Sequence, residues 1–222
     1  MNTIIFCAQL IVIGLTTLIM QRLGAAALTA SLCVQAILAN LFVLKQIELL
    51  QLNATASDVY MIGCVLTLNL LQEYYGKQTA RRAIWISFVL LLFYTLMSQL
   101  HIMYMPSIYD FSQTHYHALL SYMSRLATAS LLVYLIVQYF DTYFYAFVRT
   151  LCKGRYLTFR NILSISISQL LDTVLFSFFG LYGIIDNIVQ VMIVSYTIKM
   201  IAMLLLVPGV MALQKYVSGN KV

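Results

Sequence analysis

Charged residues are scarce in this sequence. They make up 9% of its 222 residues, whereas roughly a quarter of the residues are charged in typical soluble domains. Hydrophobic residues make up 62%. A chain with so few charges cannot cover a water-facing surface, so the composition excludes a soluble domain and predicts an integral membrane protein. The formal net charge of +6 does not indicate nucleic-acid binding, because the basic residues lie in short clusters between apolar runs.

Residue types that carry metal binding and catalysis are also scarce. The four cysteines lack disulfide or metal-ligand spacing, and the three histidines form no plausible ligand set. No phosphate-binding loop is present, so the chain cannot hydrolyse ATP itself. An intramembrane enzyme is disfavoured because no apolar run places a histidine near its middle, where it could activate a serine or an acid. We therefore expect no metal, no cofactor and no enzymatic activity.

Long apolar runs dominate what is present. A helix of about 20 residues spans the hydrocarbon core of a bilayer, and only helices satisfy their own backbone at that depth. The sequence therefore predicts an all-α membrane protein, a bundle of seven transmembrane helices in one domain over residues 1–222. The predicted spans are Thr3–Gln21, Ala25–Leu44, Val59–Tyr75, Ala83–Met105, Tyr122–Val148, Asn161–Tyr182 and Ile188–Val210.

The basic residues predict the orientation of this bundle. Of 13 Lys and Arg residues, Arg125 and Lys199 lie within spans, and only Lys45 lies in a connection on one side of the membrane. The other ten lie on the opposite side, which the positive-inside rule assigns to the cytoplasm. This places the N-terminus outside and the C-terminus inside. The ten are Arg22, Lys77, Arg81, Arg82, Arg149, Lys153, Arg155, Arg160, Lys215 and Lys221.

Acidic residues inside the predicted spans are the main functional signal. Glu73, Asp141 and Asp172 each put a carboxylate where an unpaired charge costs several kcal/mol. We expect them to contact a substrate or a coupling ion. On the sixth span, Asn161, Ser164, Ser168 and Asp172 share one helix face, with Gln169 beside it.

Two other interpretations of the polar residues need no ligand. Asp172 and Lys199 both fall near mid-membrane, so they can form an ion pair that keeps both charged and binds nothing. Serine, threonine, asparagine and glutamine can link helices through hydrogen bonds worth about 0.6 kcal/mol each. We favour this linking role for the serines, Gln99 and Gln190. Tyr134 and Tyr196 lie beside polar positions and could stack on a flat ring.

Five blocks stand out in order along the chain: LANLFVLKQIELLQLNATAS, LNLLQEYYGKQTARRAIW, RLATASLLVYLIVQYFD, RNILSISISQLLDTVLF and SYTIKM. Together they resemble the queuosine precursor transporter family, also called the vitamin uptake transporter family. The likeness runs from about Ala25 to Val207, which implies a six-helix core with the first helix as an N-terminal addition. The resemblance implies a multi-pass importer of the inner membrane.

The resemblance also implies a set of substrate-binding candidates. Gln72 joins the set because it lies beside Glu73 at the end of the third span, and Tyr196 because it could stack on the substrate. The family usually has an acid where this chain has Asn69, so its substrate preference or ion coupling can differ. The candidates are Asn40, Asn69, Gln72, Glu73, Arg125, Gln138, Asp141, Asn161, Gln169, Asp172, Tyr196 and Lys199.

The family imports 7-deazaguanine bases, namely queuine and the 7-cyano and 7-aminomethyl precursors. Such a ring offers N1–H and an exocyclic amine that a carboxylate can accept together, while its carbonyl needs a donor. Asp172 or Asp141 could accept, and Gln169, Gln138 or Lys199 could donate. Transport would proceed by alternating access, with Glu73, Asp141 and Asp172 as candidate proton carriers.

The expected partners are a nucleobase-like small molecule and the lipid bilayer, with no nucleic acid. The sequence leaves the oligomeric state open, with a homodimer as one option. It also leaves a second function open. The chain could be the substrate-binding membrane subunit of a vitamin importer that a separate ATPase energises.

Overall fold

A computed structural model of the chain describes residues 1–49, 51–151 and 157–201. Most of this part of the chain is helical. In chain order the helices and strands are α1 (Asn2–Leu23), α2 (Ala25–Phe42), β1 (Gln46–Leu49), β2 (Leu52–Thr55), α3 (Asp58–Ile102), α4 (Gln113–Leu120), α5 (Met123–Leu151), α6 (Leu157–Phe176), a π-helical turn (Ser177–Leu181) and α7 (Ile188–Ile201).

The helices provide an apolar segment for each predicted span. Four segments are long and apolar enough to cross a membrane: Asn2–Leu23, Ala25–Phe42, Gln78–Ile102 and Gln113–Val137. Three shorter apolar helices cover Asp58–Gln72, Ser166–Leu181 and Ile188–Ile201. An all-α membrane fold therefore agrees with the structure. The count of seven crossings and the orientation stay predictions.

The structure adds a β-hairpin that the sequence analysis did not predict. Strands β1 and β2 pair antiparallel, with Leu49 opposite Leu52. Their connection contains Gln51, whose φ of 67° is left-handed. Leu49 and Ala54 are buried against Phe6 of α1. The strands are too short for an alternating pattern to stand out in sequence, and the packing against α1 stabilises them.

Two polar contacts attach this hairpin to the ends of the helices. The Asn2 side chain donates to the Glu48 carbonyl at 3.0 Å. The Asn53 side chain donates to Oε1 of Gln190 at 3.1 Å, near the start of α7. The hairpin is therefore fixed to both the first and the last described helix.

Helix α3 is two helical limbs joined at Gly76. This glycine has φ 84° and ψ 163°, which is not helical. Asp58 of the first limb and Leu91 of the second line the same cavity. A straight helix would separate them by about 50 Å, so the chain must reverse direction at Gly76. Gly24 joins α1 to α2 with a similar conformation, φ 107° and ψ −179°.

The first limb of α3 packs closely against α1 and α2. A side chain on Gly63 would approach Gln35 Oε1 and Ile13 Cγ2 to 2.7 Å, so the absence of a Cβ permits this contact. Gln35 is buried in the interface. It donates to Ser31 Oγ at 3.0 Å and accepts from Thr67 Oγ1 at 3.4 Å. The bond to Ser31 lies within α2, whereas the bond from Thr67 links α3 to α2, as the sequence suggested for this residue class.

Replacing Gly76 with alanine should destabilise the turn between the two limbs of α3. An added Cβ would meet nothing within 4 Å, so the cost comes from the backbone conformation alone. This region of φ and ψ costs an L-residue about 1–3 kcal/mol. We expect the free energy of unfolding in detergent to fall by about that amount.

Gly14→Ala is the matched control for this change. Gly14 lies within α1 and also has open space at its Cβ position. Alanine there should leave stability unchanged or raise it by about 0.5–1 kcal/mol. Equal effects of the two substitutions would show that Gly76 is not the constrained position.

Candidate functional site

The candidate site is a cavity of about 190 Å³ between the helices. Helix α2, both limbs of α3, α5, α6 and α7 supply its walls, and the end of β2 contributes Thr55. Most of its lining is apolar, with a limited set of polar groups, which is the usual composition of small-molecule sites. The polar lining residues are Asn40, Thr55, Ser57, Asp58, Ser87, Ser130, Tyr134, Asp172, Thr173, Ser177, Ser195 and Lys199.

An ion pair joins α6 to α7 at the cavity wall. Lys199 Nζ lies 3.6 Å from Asp172 Oδ2 and donates to Thr173 Oγ1 at 3.3 Å. Lys199 is buried, and the Asp172 side chain is 22% exposed. The ion pair predicted from the depth of these two residues is confirmed. Both residues line the cavity, so the pair also presents a donor and an acceptor side by side.

A second carboxylate, Asp58, lies in the same cavity at the start of α3. It is buried, with 3% of its surface exposed. The Ser195 hydroxyl of α7 donates to its Oδ2 at 2.7 Å, and Thr55 of β2 lines the cavity beside it. Lys199 is near enough to attract this carboxylate electrostatically. The N-terminal end of α3 also favours a negative charge.

Asn40 contributes to the wall from α2. Its Oδ1 accepts from Ser130 Oγ of α5 at 3.0 Å, and its Nδ2 donates to the Ala36 carbonyl at 3.0 Å. These bonds fix the rotamer of Asn40. One side-chain amide thereby connects α2 to α5 beside the cavity.

Aromatic rings cover another part of the wall. Phe88 of α3 and Tyr134 of α5 meet edge to face, with ring centres 4.7 Å apart. Both line the cavity, together with Phe176 at the end of α6. A flat ligand could pack against these rings, since offset or edge-to-face aromatic pairs are favourable. Tyr134, which the sequence analysis named as able to stack on a flat ring, therefore lines the cavity.

Comparison with known proteins identifies the family. Residues 55–213 match the family described as "Putative vitamin uptake transporter". The chain belongs to the vitamin uptake transporter family. Over 187 residues it is 33% identical to a Bacillus subtilis (strain 168) protein named "Probable queuosine precursor transporter", covering 82% of this chain and 81% of that protein. No solved structure matches the chain. The family resemblance inferred from the sequence is confirmed.

The cavity brings together three of the residues predicted to bind substrate in this vitamin uptake transporter. They are Asn40, Asp172 and Lys199. Of the other candidates, Asn69, Gln169 and Tyr196 are half-buried and Gln72 is exposed, and none of these four is a lining residue. The side chains of Glu73, Gln138, Asp141 and Asn161 lie outside those that the structure describes.

Arg125 is placed away from the cavity. Its side chain is exposed, and its Nε donates to the Phe179 carbonyl at 3.1 Å. Its Nη2 donates to the Tyr182 carbonyl at 2.6 Å. The first of these carbonyls lies in the π-helical turn and the second just after it, so the guanidinium supplies donors where the helical hydrogen-bond pattern ends. In this conformation Arg125 supports the turn after α6.

Asp58 is the charged cavity residue that the sequence analysis missed. It follows the string NATAS at the start of an apolar run, where an acid is ordinary at a helix N-terminus. The prediction started the third span at Val59 and left Asp58 in the preceding connection. Ser195 was a sequence feature that pointed to a polar partner near Lys199, because it lies one turn before Lys199 on the same face of α7.

Removing only one partner of the Asp172–Lys199 pair should be more harmful than removing both charges. Lys199→Met leaves a carboxylate without its cation at a largely buried site, which in other proteins costs up to about 3–5 kcal/mol. The double variant Asp172→Asn with Lys199→Met has neither charge, and we expect it to recover most of the lost stability. Unfolding in detergent measures both free energies.

Lys45→Met serves as the control because Lys45 is exposed. It should change the free energy of unfolding by about 0.5 kcal/mol or less. Additive losses in the double variant would contradict an energetic coupling between Asp172 and Lys199.

Proposed function

We propose that this chain imports queuosine precursors, the 7-deazaguanine bases, across the inner membrane. Three observations support the proposal: the family match, the name of the Bacillus subtilis relative and the chemistry of the cavity. The Asp172–Lys199 pair carries most of the structural argument. It is a donor and an acceptor held 3.6 Å apart in a mostly apolar cavity.

The pair matches one edge of a 7-deazaguanine ring. Along that edge the carbonyl oxygen accepts a hydrogen bond, and N1–H and the exocyclic amine donate. The Lys199 ammonium can donate to the carbonyl, while the Asp172 carboxylate accepts from N1–H and the amine. Charge-assisted bonds of this kind are stronger than neutral ones.

The rest of the cavity suits a flat, neutral ring system. Phe88, Tyr134 and Phe176 offer apolar ring surface for its faces. A cavity of about 190 Å³ is smaller than the roughly 300–1,000 Å³ of drug-sized sites, so it suits a small base and not a large cofactor. The bound base would lie between α5, α6 and both limbs of α3, so rearrangement of these helices can expose it to either side in turn.

We propose that proton movement drives the import. Of the three acids predicted to carry protons, Asp172 is the one whose described side chain lines the cavity. Protonation of Asp172 would break its ion pair and free the Lys199 ammonium to donate to the base, while the carboxyl keeps one oxygen that accepts from it. The proton and the base would therefore bind together and cross together.

Uptake should depend on Asp172. We expect Asp172→Asn to lower uptake of labelled 7-deazaguanine bases at least roughly tenfold, since a charge-assisted bond to two donors is lost. The assay uses cells that lack their own synthesis and import of these bases, and the readout is queuosine in tRNA. Membrane abundance of each variant is measured in parallel.

Asp186→Asn is the matched control for this test. Asp186 is exposed in the connection before α7 and does not line the cavity. Its replacement should leave uptake unchanged. If Asp172→Asn at normal abundance retains full uptake, the base is bound elsewhere.

Collapse of the proton gradient in the same cells should abolish accumulation of the base. Purified protein in liposomes should accumulate it when a proton gradient is imposed and only equilibrate it otherwise. Accumulation that is insensitive to the gradient would refute proton coupling. Binding without any transport by the purified chain would instead indicate a subunit that needs a separate ATPase.

A further inference from the structure

The described charges that line the cavity do not balance. They are Asp58, Asp172 and Lys199, two carboxylates against one ammonium. Lys199 is paired with Asp172 and attracts Asp58 from a greater distance, while the Ser195 hydroxyl hydrogen-bonds Asp58. A hydroxyl group orients a carboxylate but does not neutralise it. One ammonium shared by two carboxylates leaves a net negative charge in an apolar cavity, which is costly, so this part of the site favours a cationic ligand group.

Lys199 interacts with both acids, since it pairs with Asp172 and attracts Asp58 electrostatically. Ser195 and Lys199 lie four residues apart on α7 and so share a face, about 6 Å apart along the axis. Ser195 contacts Asp58, and Lys199 contacts Asp172. The site therefore presents an acceptor, a donor and a second acceptor in order.

The groups around the rim of a 7-deazaguanine follow the complementary order. N1–H is a donor, the carbonyl oxygen next to it is an acceptor, and the substituent on C7 follows. With Asp172 on N1–H and Lys199 on the carbonyl, the C7 substituent faces Asp58. This arrangement rests on the function proposed above.

We propose that Asp58 binds a protonated amine on the C7 substituent, so that the site selects 7-aminomethyl-7-deazaguanine over the 7-cyano base. An alkyl amine resembles the lysine side chain, with a pKa of about 10.4, and is protonated at neutral pH. It can donate to the Asp58 carboxylate. A nitrile is uncharged and offers only an acceptor, so it leaves the net negative charge of the site in place.

The two bases form a matched pair of probes because they differ only at this substituent. Uptake of each is measured in the same cells, alone and in competition. Wild-type protein should prefer the aminomethyl base roughly ten- to a hundredfold, the range expected for an added charge-assisted hydrogen bond. Asp58→Asn should lose most of that preference, because it lowers uptake of the aminomethyl base much more than uptake of the cyano base.

Uptake of the 7-cyano base by the Asp58→Asn protein also shows that this variant is folded. Ser195→Ala is a second variant, which removes the hydroxyl that orients Asp58 but keeps its charge. It should lower the preference by a smaller factor than Asp58→Asn. Asp186→Asn, an exposed acid, should leave the preference unchanged.

The possible results separate this inference from the proposed function. Uptake of neither base by wild-type protein refutes the proposed function and the inference together. Uptake of both bases without an aminomethyl preference refutes only the role of Asp58. The role is also refuted if Asp58→Asn lowers both uptakes equally or leaves their ratio unchanged.

Discussion

Lys199 and Asp172 lie 3.6 Å apart in a part of the molecule where either charge alone would cost several kcal/mol. Their pairing allows both to stay ionised between α6 and α7, and Thr173 accepts a further hydrogen bond from the ammonium. Because both residues line a cavity, a bound ligand can replace part of the contact between them with contacts of its own. A transporter needs such a site, since the ligand must be bound and then released. The position of this pair therefore constrains how the surrounding helices can pack.

The turn at Gly76 makes the cavity possible. It lets the two limbs of α3 face each other, so that Asp58 from one limb and Phe88 from the other reach the same space. The charged groups come from the first limb, α6 and α7, while aromatic surface comes from the second limb, α5 and the end of α6. The hairpin of β1 and β2 adds Thr55 beside Asp58. The site thus combines charged groups and flat apolar surface supplied by different helices.

Much of the site was predictable from depth and periodicity. Asp172 and Lys199 were placed near mid-membrane by counting residues along apolar runs, and the pair they form follows from the cost of burying either one alone. Arg125 shows the limit of this reasoning. It lies within a predicted span, yet its guanidinium reaches the carbonyls of Phe179 and Tyr182 and stays exposed. Residue position along a helix gives depth, but it does not give the direction of a long side chain or the element that it contacts.

The sequence by itself determined the membrane class, the seven apolar segments and the family, because these depend on composition, run length and the order of local motifs. Only the tertiary structure decided which acids share a cavity. Asp58 reaches Ser195 across 137 residues of chain, and such a contact depends on how α3 and α7 pack and not on any local pattern. The β-hairpin likewise depends on Leu49 and Ala54 packing against α1. Contacts between distant segments follow from the rotation and register of whole helices, which hydrophobic periodicity alone does not specify.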